Sequence, residues 1–268
     1  MKIHRRVLPL LAVAAFALPA SSAMRDELHR PYARAVSMER DLRLEPADYA
    51  RQAGLEPAGF RARYGASGLI RCGKAVGSGQ VTLADNVITT AAHVFFAPGG
   101  TLRGESCTFE PAHAPGASVA IDMNSIVSGS PRPMEERATL DWAVARLVSA
   151  PETLVPYPVA TASSMPTPVV MFGGGNGPAA RLGVERCSTR RVTATAPEGI
   201  RELAFDCSAD HGGSGAALLN ERGEMIGIFV GYRSTNAAAS LPFSDIHYNF
   251  AITVEGPFRR ALLKAAGK

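Results

Sequence analysis

The chain has 268 residues, 46% of them hydrophobic, and a formal charge of +4 from 28 basic and 24 acidic side chains. Three basic residues and no acidic one fall in the first 23 positions, so the remainder balances at 25 against 24. That balance excludes nucleic-acid recognition by bulk charge, and no basic stripe with interleaved aromatics is present.

Residues 1–23 have the form of a secretory signal peptide. Lys2, Arg5 and Arg6 open it, Val7 to Leu18 form an apolar run too short to cross a bilayer, and Ser21-Ser22-Ala23 supplies small residues for cleavage. Cleavage there would start the mature chain near Met24, leave no stable membrane span, and deliver a secreted or periplasmic product. Residues 24–65 form a charged extension with eight arginines, seven acidic residues and few branched apolar ones. Such a composition predicts solvated helices or a mobile arm rather than core. Within it, Leu44 to Gly54 is echoed at once by Leu55 to Gly65, each copy with proline early and glycine last, the asymmetry of a short helix. A propeptide or docking arm and a helical decoration of the core both remain open for this segment.

The remaining domain, residues 66–268, has a different texture. Short apolar or alternating runs recur at Leu69 to Cys72, Gln80 to Leu83, Val87 to Thr90, Val119 to Val127, Trp142 to Val148 and Val169 to Phe172. They continue at Val184 to Thr195, Leu203 to Cys207, Ala216 to Leu219, Met225 to Gly231 and Tyr248 to Val254. Many short strands between turn signals predict an all-β barrel or sandwich, and roughly 200 residues can bury a core as two subdomains. From Pro257, Phe258, Ala261, Leu262 and Ala265 share one face of a predicted packing helix, with Arg259, Arg260 and Lys264 left in water.

Cys72, Cys107, Cys187 and Cys207 show no spacing suited to a metal and, in an exported chain, predict two disulfides. Three connectivities are open. Cys72 with Cys107 and Cys187 with Cys207 is the expected one, since each pair closes a loop within one half of the chain.

Three segments carry chemistry. In Asp210-His211-Gly212-Gly213-Ser214-Gly215, glycines flank a serine, so that a substrate carbonyl can approach and backbone N–H groups can converge on it. A serine needs a base, and His93 follows a β-branched strand and two alanines in Thr89-Thr90-Ala91-Ala92-His93. The base needs an orienting acid, and Asp141 heads the apolar strand Trp142-Ala143-Val144, where a carboxylate drawn inward requires a donor such as an imidazole N–H.

In this order and setting the segments resemble the chymotrypsin-like (trypsin-like) serine peptidase family. Thr90-Ala91-Ala92-His93 matches its histidine motif, Asp141-Trp142-Ala143-Val144 its aspartate motif and Gly212-Gly213-Ser214-Gly215 its serine motif. The resemblance covers Ser67 to the C-terminus and looks more like bacterial exported members, the glutamyl endopeptidases and HtrA-type protease domains, than animal trypsins. It implies two packed six-stranded β-barrels with the site in the cleft between them, and a serine endopeptidase acting on protein or peptide substrates without metal or cofactor. By the same resemblance Ser214 would attack, His93 would carry the proton, Asp141 would orient His93, and the N–H groups of Gly212 and Ser214 would form the oxyanion hole. Ser208, Ala209, His211, Phe229 and Gly231 would line the primary substrate pocket, with residues around Tyr248 and Asn249.

The departures are informative. Gly213 stands where animal members carry an aspartate that pairs with a freed N-terminal amine, so activation by N-terminal insertion is not expected and Asp210 is the candidate to brace the loop. Ser208 replaces the aspartate of trypsins and Phe229 the histidine of glutamyl endopeptidases, so an apolar pocket is expected. The alternative is a catalytically weak, protease-like binding module in which Gly213 leaves the loop slack. Gly173 to Gly177 lacks both nucleotide-binding fingerprints and reads as a loop between strands near the cleft.

Overall fold

The computed structural model describes residues 35–161, 164–174 and 182–268. The expected signal peptide, the start of the extension and Gly175-Asn176-Gly177 therefore lie outside the described residues.

Six antiparallel strands close the first barrel: β1 (Ser67–Cys72), β2 (Ala75–Val81), β3 (Val87–Thr90), β4 (Cys107–Pro111), β5 (Val119–Ser128) and β6 (Ala143–Leu147), in the order β1-β2-β3-β6-β5-β4. Six more close the second: β7 (Thr167–Gly174), β8 (Leu182–Thr195), β9 (Arg201–Phe205), β10 (Ala217–Leu219), β11 (Met225–Ser234) and β12 (His247–Thr253), in the order β10-β11-β12-β9-β8-β7. Closure removes the exposed edges that short strands would otherwise present. Ile70, Ile88 and Phe109 fill the first barrel, and Leu203, Phe205 and Leu218 fill the second, all fully buried.

β4 is the strand that the sequence pattern does not announce. Its five residues end in proline, and its place is set by pairing with β1, where Cys72 stands opposite Cys107. These two cysteines are disulfide-bonded, as are Cys187 and Cys207, which is the expected connectivity.

The echoed segment forms two short helices, α1 (Pro46–Gln52) and α2 (Pro57–Tyr64), each opened by its proline. Tyr49 and Phe60 hold equivalent places in the two copies and meet edge to face at 6.4 Å, while Phe60 packs on Phe172 of β7 at 5.9 Å. Composition predicted solvated helices or a mobile arm rather than core; the helices form, and Val36, Met38, Ala50 and Tyr64 are nevertheless buried. A few well-placed apolar side chains suffice to dock a charged segment onto a finished core. At the other end, α3 (Ala92–Phe95) is a single turn after β3, and α4 (Gly256–Ala265) buries Phe258 and Leu262. Phe258 stacks on Trp142 at 5.1 Å, so α4 anchors the start of β6 next to Asp141.

Candidate active site

Strand pairing brings two of the three chemical groups together. Thr90 of β3 lies opposite Ala143 of β6; His93 leaves the end of the first strand as Asp141 enters the second. The His93 ring Nδ1 is 2.6 Å from Asp141 Oδ2, and the His93 backbone N–H donates to Asp141 Oδ1 at 2.9 Å. Both residues are almost fully buried, so the carboxylate exchanges water for two N–H donors. An ionised carboxylate can only accept, which puts the ring proton on Nδ1 and leaves Nε2 with a lone pair. Nε2 has no hydrogen-bond partner among the described residues.

Arg103 donates from Nε to the His93 carbonyl at 2.8 Å. Burial lowers the Arg103 pKa, and the nearby Asp141 charge opposes that fall. His93 is thus held at its backbone from both sides.

The Ser214 loop is placed through its backbone. The Ser214 carbonyl accepts the Ser78 N–H at 2.7 Å, and the Gly215 N–H donates to the Phe229 carbonyl at 2.7 Å. A Cβ at Gly215, whose φ is +89°, would fall 2.2 Å from Thr90 Oγ1 and 2.9 Å from the Ala91 nitrogen. The loop therefore abuts the end of β3 that leads to His93, and only glycine permits that approach. Ser214 Oγ and His93 Nε2 share no hydrogen bond among the described residues. Among the described residues, the N–H groups of Gly212 and Ser214 meet no acceptor, whereas the Gly213 N–H donates to the Asp210 carbonyl at 3.0 Å. Asp210 also accepts the His211 N–H on its side chain at 2.7 Å, so it braces the loop from one end.

The pocket residues divide. Ala209, Asp210 and His211 border a cavity of about 320 Å³ that Ala35, Ser37 and the small residues Ala237 to Ser240 complete. Ser208, Phe229 and Gly231 do not border it. Phe229 is buried with its ring edge-on to Phe205 at 5.8 Å, and Gly231 lies against the Phe250 ring. The Ser208 hydroxyl accepts the Met38 N–H at 3.0 Å, and its own N–H donates to Glu185 Oε2 at 2.9 Å. Burial pushes the Glu185 carboxyl up to about 8, against the Ser208 N–H and Arg43, which hold it down.

Sequence reasoning missed the strap formed by residues 35–40. Asn249 accepts the Val36 N–H at 3.0 Å and donates to the Val36 carbonyl at 2.7 Å and the Cys207 carbonyl at 2.9 Å, tying strap to pocket wall. Ser78 was also missed, although Gly77-Ser78-Gly79 inside a strand signals close backbone approach. Among the described residues, no three His, Cys, Asp or Glu side chains cluster as metal ligands.

A family model described as a trypsin-like peptidase domain matches residues 77–228, more than half of the chain. No curated protein matches it. Among solved structures, a glutamyl endopeptidase superposes with a TM-score of 0.67 at 14% identity, over 87% of this chain and 100% of that one. A thermostable serine protease from an extremophilic microorganism reaches 0.56 at 14% identity, over 76% and 98%. A serine endoprotease from Yersinia pestis reaches 0.52 at 19% identity, over 78% and 65%. At these identities the likeness concerns the fold.

Proposed function

The chain belongs to the trypsin-like peptidase domain family, and from that premise we propose that it is an exported serine endopeptidase working through an acyl-enzyme on Ser214. The observation that carries this is the buried His93–Asp141 pair with Nε2 left unpartnered. Ser214 Oγ attacks the scissile carbonyl while its proton passes to His93 Nε2. The carbonyl oxygen becomes an anion facing the N–H groups of Gly212 and Ser214, each donor of this kind being worth a factor of about 10² to 10³. His93 returns the proton to the leaving amine as the C–N bond breaks. A water deprotonated by His93 then releases the acid and restores Ser214. Asp141 keeps the ring proton on Nδ1 throughout.

The small lining at Ala35, Ala209, Ala238 and Ala239 supports preference for a compact side chain before the cleaved bond, and Ser37, Asp210, His211 and Ser240 add polar groups to it. The apolar character rests on the resemblance, which puts Ser208 in place of the trypsin aspartate and Phe229 in place of the glutamyl endopeptidase histidine. The buried strap and Tyr64 support retention of residues 35–65 as part of the working enzyme, against removal as a propeptide. Two disulfides and the leader sequence support an oxidising destination outside the cytoplasm. No helix of the described residues is long and apolar enough to cross a membrane.

Cleavage-site profiling on a peptide library is the test. Turnover by the disulfide-intact chain after small apolar residues is expected, with Ser214→Ala and His93→Ala each lowering kcat by about 10³ or more. Cutting mainly after Arg, Lys or Glu would overturn the pocket assignment. No cutting at all would favour the binding-module alternative.

A further inference from the structure

We propose that Ser78 is a positioning residue for the oxyanion loop, its hydroxyl relaying a hydrogen bond from the Gly174 N–H of β7 to the Gly212 carbonyl. The inference rests on the assignment of Gly212 and Ser214 as oxyanion donors, and it explains how the loop is held without a side chain at Gly213.

Ser78 lies in β2, fully buried, on the opposite barrel from the loop. The Gly174 N–H donates to Ser78 Oγ at 2.7 Å, and Ser78 Oγ is 2.7 Å from the Gly212 oxygen. The direction of the second bond is settled by chemistry. A carbonyl cannot donate, so the hydroxyl proton points at Gly212, and the lone pair receives Gly174. Its backbone is equally committed: the Ser78 N–H donates to the Ser214 carbonyl at 2.7 Å, and its own carbonyl accepts the Thr90 hydroxyl at 2.7 Å.

The consequence concerns one peptide plane. The Gly212–Gly213 peptide lies between the peptide that carries the Gly212 N–H and the one that carries the Ser214 N–H. Its carbonyl is fixed by Ser78 and its N–H by the Asp210 carbonyl, at 3.0 Å. Pinned at both ends, it cannot rotate without breaking a hydrogen bond, and this restricts the two donor-bearing peptides on either side of it before substrate arrives. Gly173 and Gly174 make the arrangement sterically possible. A Cβ at Gly174 would lie 2.8 Å from the Gly212 oxygen, and one at Gly173 3.1 Å from Ser78 Oγ. Gly173 and Gly174 at the end of β7 are thus the floor on which the loop rests.

Ser78→Ala removes the hydroxyl and leaves the backbone bonds. We expect kcat to fall about 10- to 100-fold with KM within about twofold of wild type, a smaller loss than deleting a donor outright. Affinity for a peptide boronate, which needs the hole, should fall in parallel, whereas affinity for the cleaved acid product should not. Rates are normalised to the folded fraction from near-ultraviolet circular dichroism. Should Ser78→Ala not fold, Ser78→Cys fills the site with a weaker donor and carries the same comparison. Unchanged kcat and boronate affinity in the folded variant would overturn the positioning role while leaving the endopeptidase assignment intact. An inactive wild type that also fails to bind the boronate would instead remove the assignment on which the role depends.

Discussion

His93 and Asp141 illustrate how a buried site is made affordable to the fold. Each N–H of His93 that faces the carboxylate replaces a water, and the pair sits where two strands are already joined. Their motifs were legible because small residues and strand periodicity surround them. Glu185 was not, since a lone Val-Glu-Arg in a long strand reads as an exposed edge; its partner, the Ser208 N–H, is 23 residues away. It is the one described carboxyl that burial lifts to about 8, with Asp41 and Asp206 raising it further and Arg43 opposing. Between about 4.5 and about 8 the folded carboxyl keeps a proton that the unfolded chain has released, so stability falls as pH rises through that window. Glu185→Gln retains an acceptor for Ser208 and removes the titration. Its Tm should stay level from pH 5 to 8 over the range where that of wild type declines; matching profiles would contradict burial as the dominant influence.

Among elements, the strap is where composition misled. Arginine and acid counts describe the average residue of 24–65, but docking is decided by a few buried side chains, Val36 and Met38 between more exposed neighbours and Tyr64 at the entry to β1. The repeat was readable, and so were its helices; that the two copies bring their aromatic positions edge to face and that Phe60 seats on Phe172 depends on β7, distant in sequence. Asn249 is the knot, with three hydrogen bonds to Val36 and Cys207. Asn249→Ala leaves the buried Val36 N–H unpaired, a loss of about 2 kcal/mol and roughly 4–8 °C in Tm. Limited trypsinolysis after the exposed Arg40 should then quicken. Equal rates of cleavage in variant and wild type would show that the strap is not held through this residue.

At the scale of the molecule, there are two barrels, and the proposed chemistry is divided between them. His93 and Asp141 come from the first, Ser214 from the loop before β10 of the second, and Ser78 reaches across. The all-β class and eleven of the twelve described strands were legible from short alternating runs; barrel closure was expected only through the resemblance, and the cross-barrel contacts not at all, because they depend on pairings far apart in sequence, such as β1 with β4 and β7 with β10. The disulfide from Cys187 to Cys207 ties β8 to the approach to the Ser214 loop, so the loop is tethered at its start, braced by Asp210 and pinned by Ser78. Gly213 therefore need not leave it slack. The most direct test of a peptidase working through Ser214 is mass-spectrometric mapping after reaction with a fluorophosphonate. The account predicts one stoichiometric adduct, on the peptide that holds Ser214, lost in Ser214→Ala and strongly slowed in His93→Ala. An unlabelled, disulfide-intact wild type, or an adduct on another residue that survives Ser214→Ala, would contradict it.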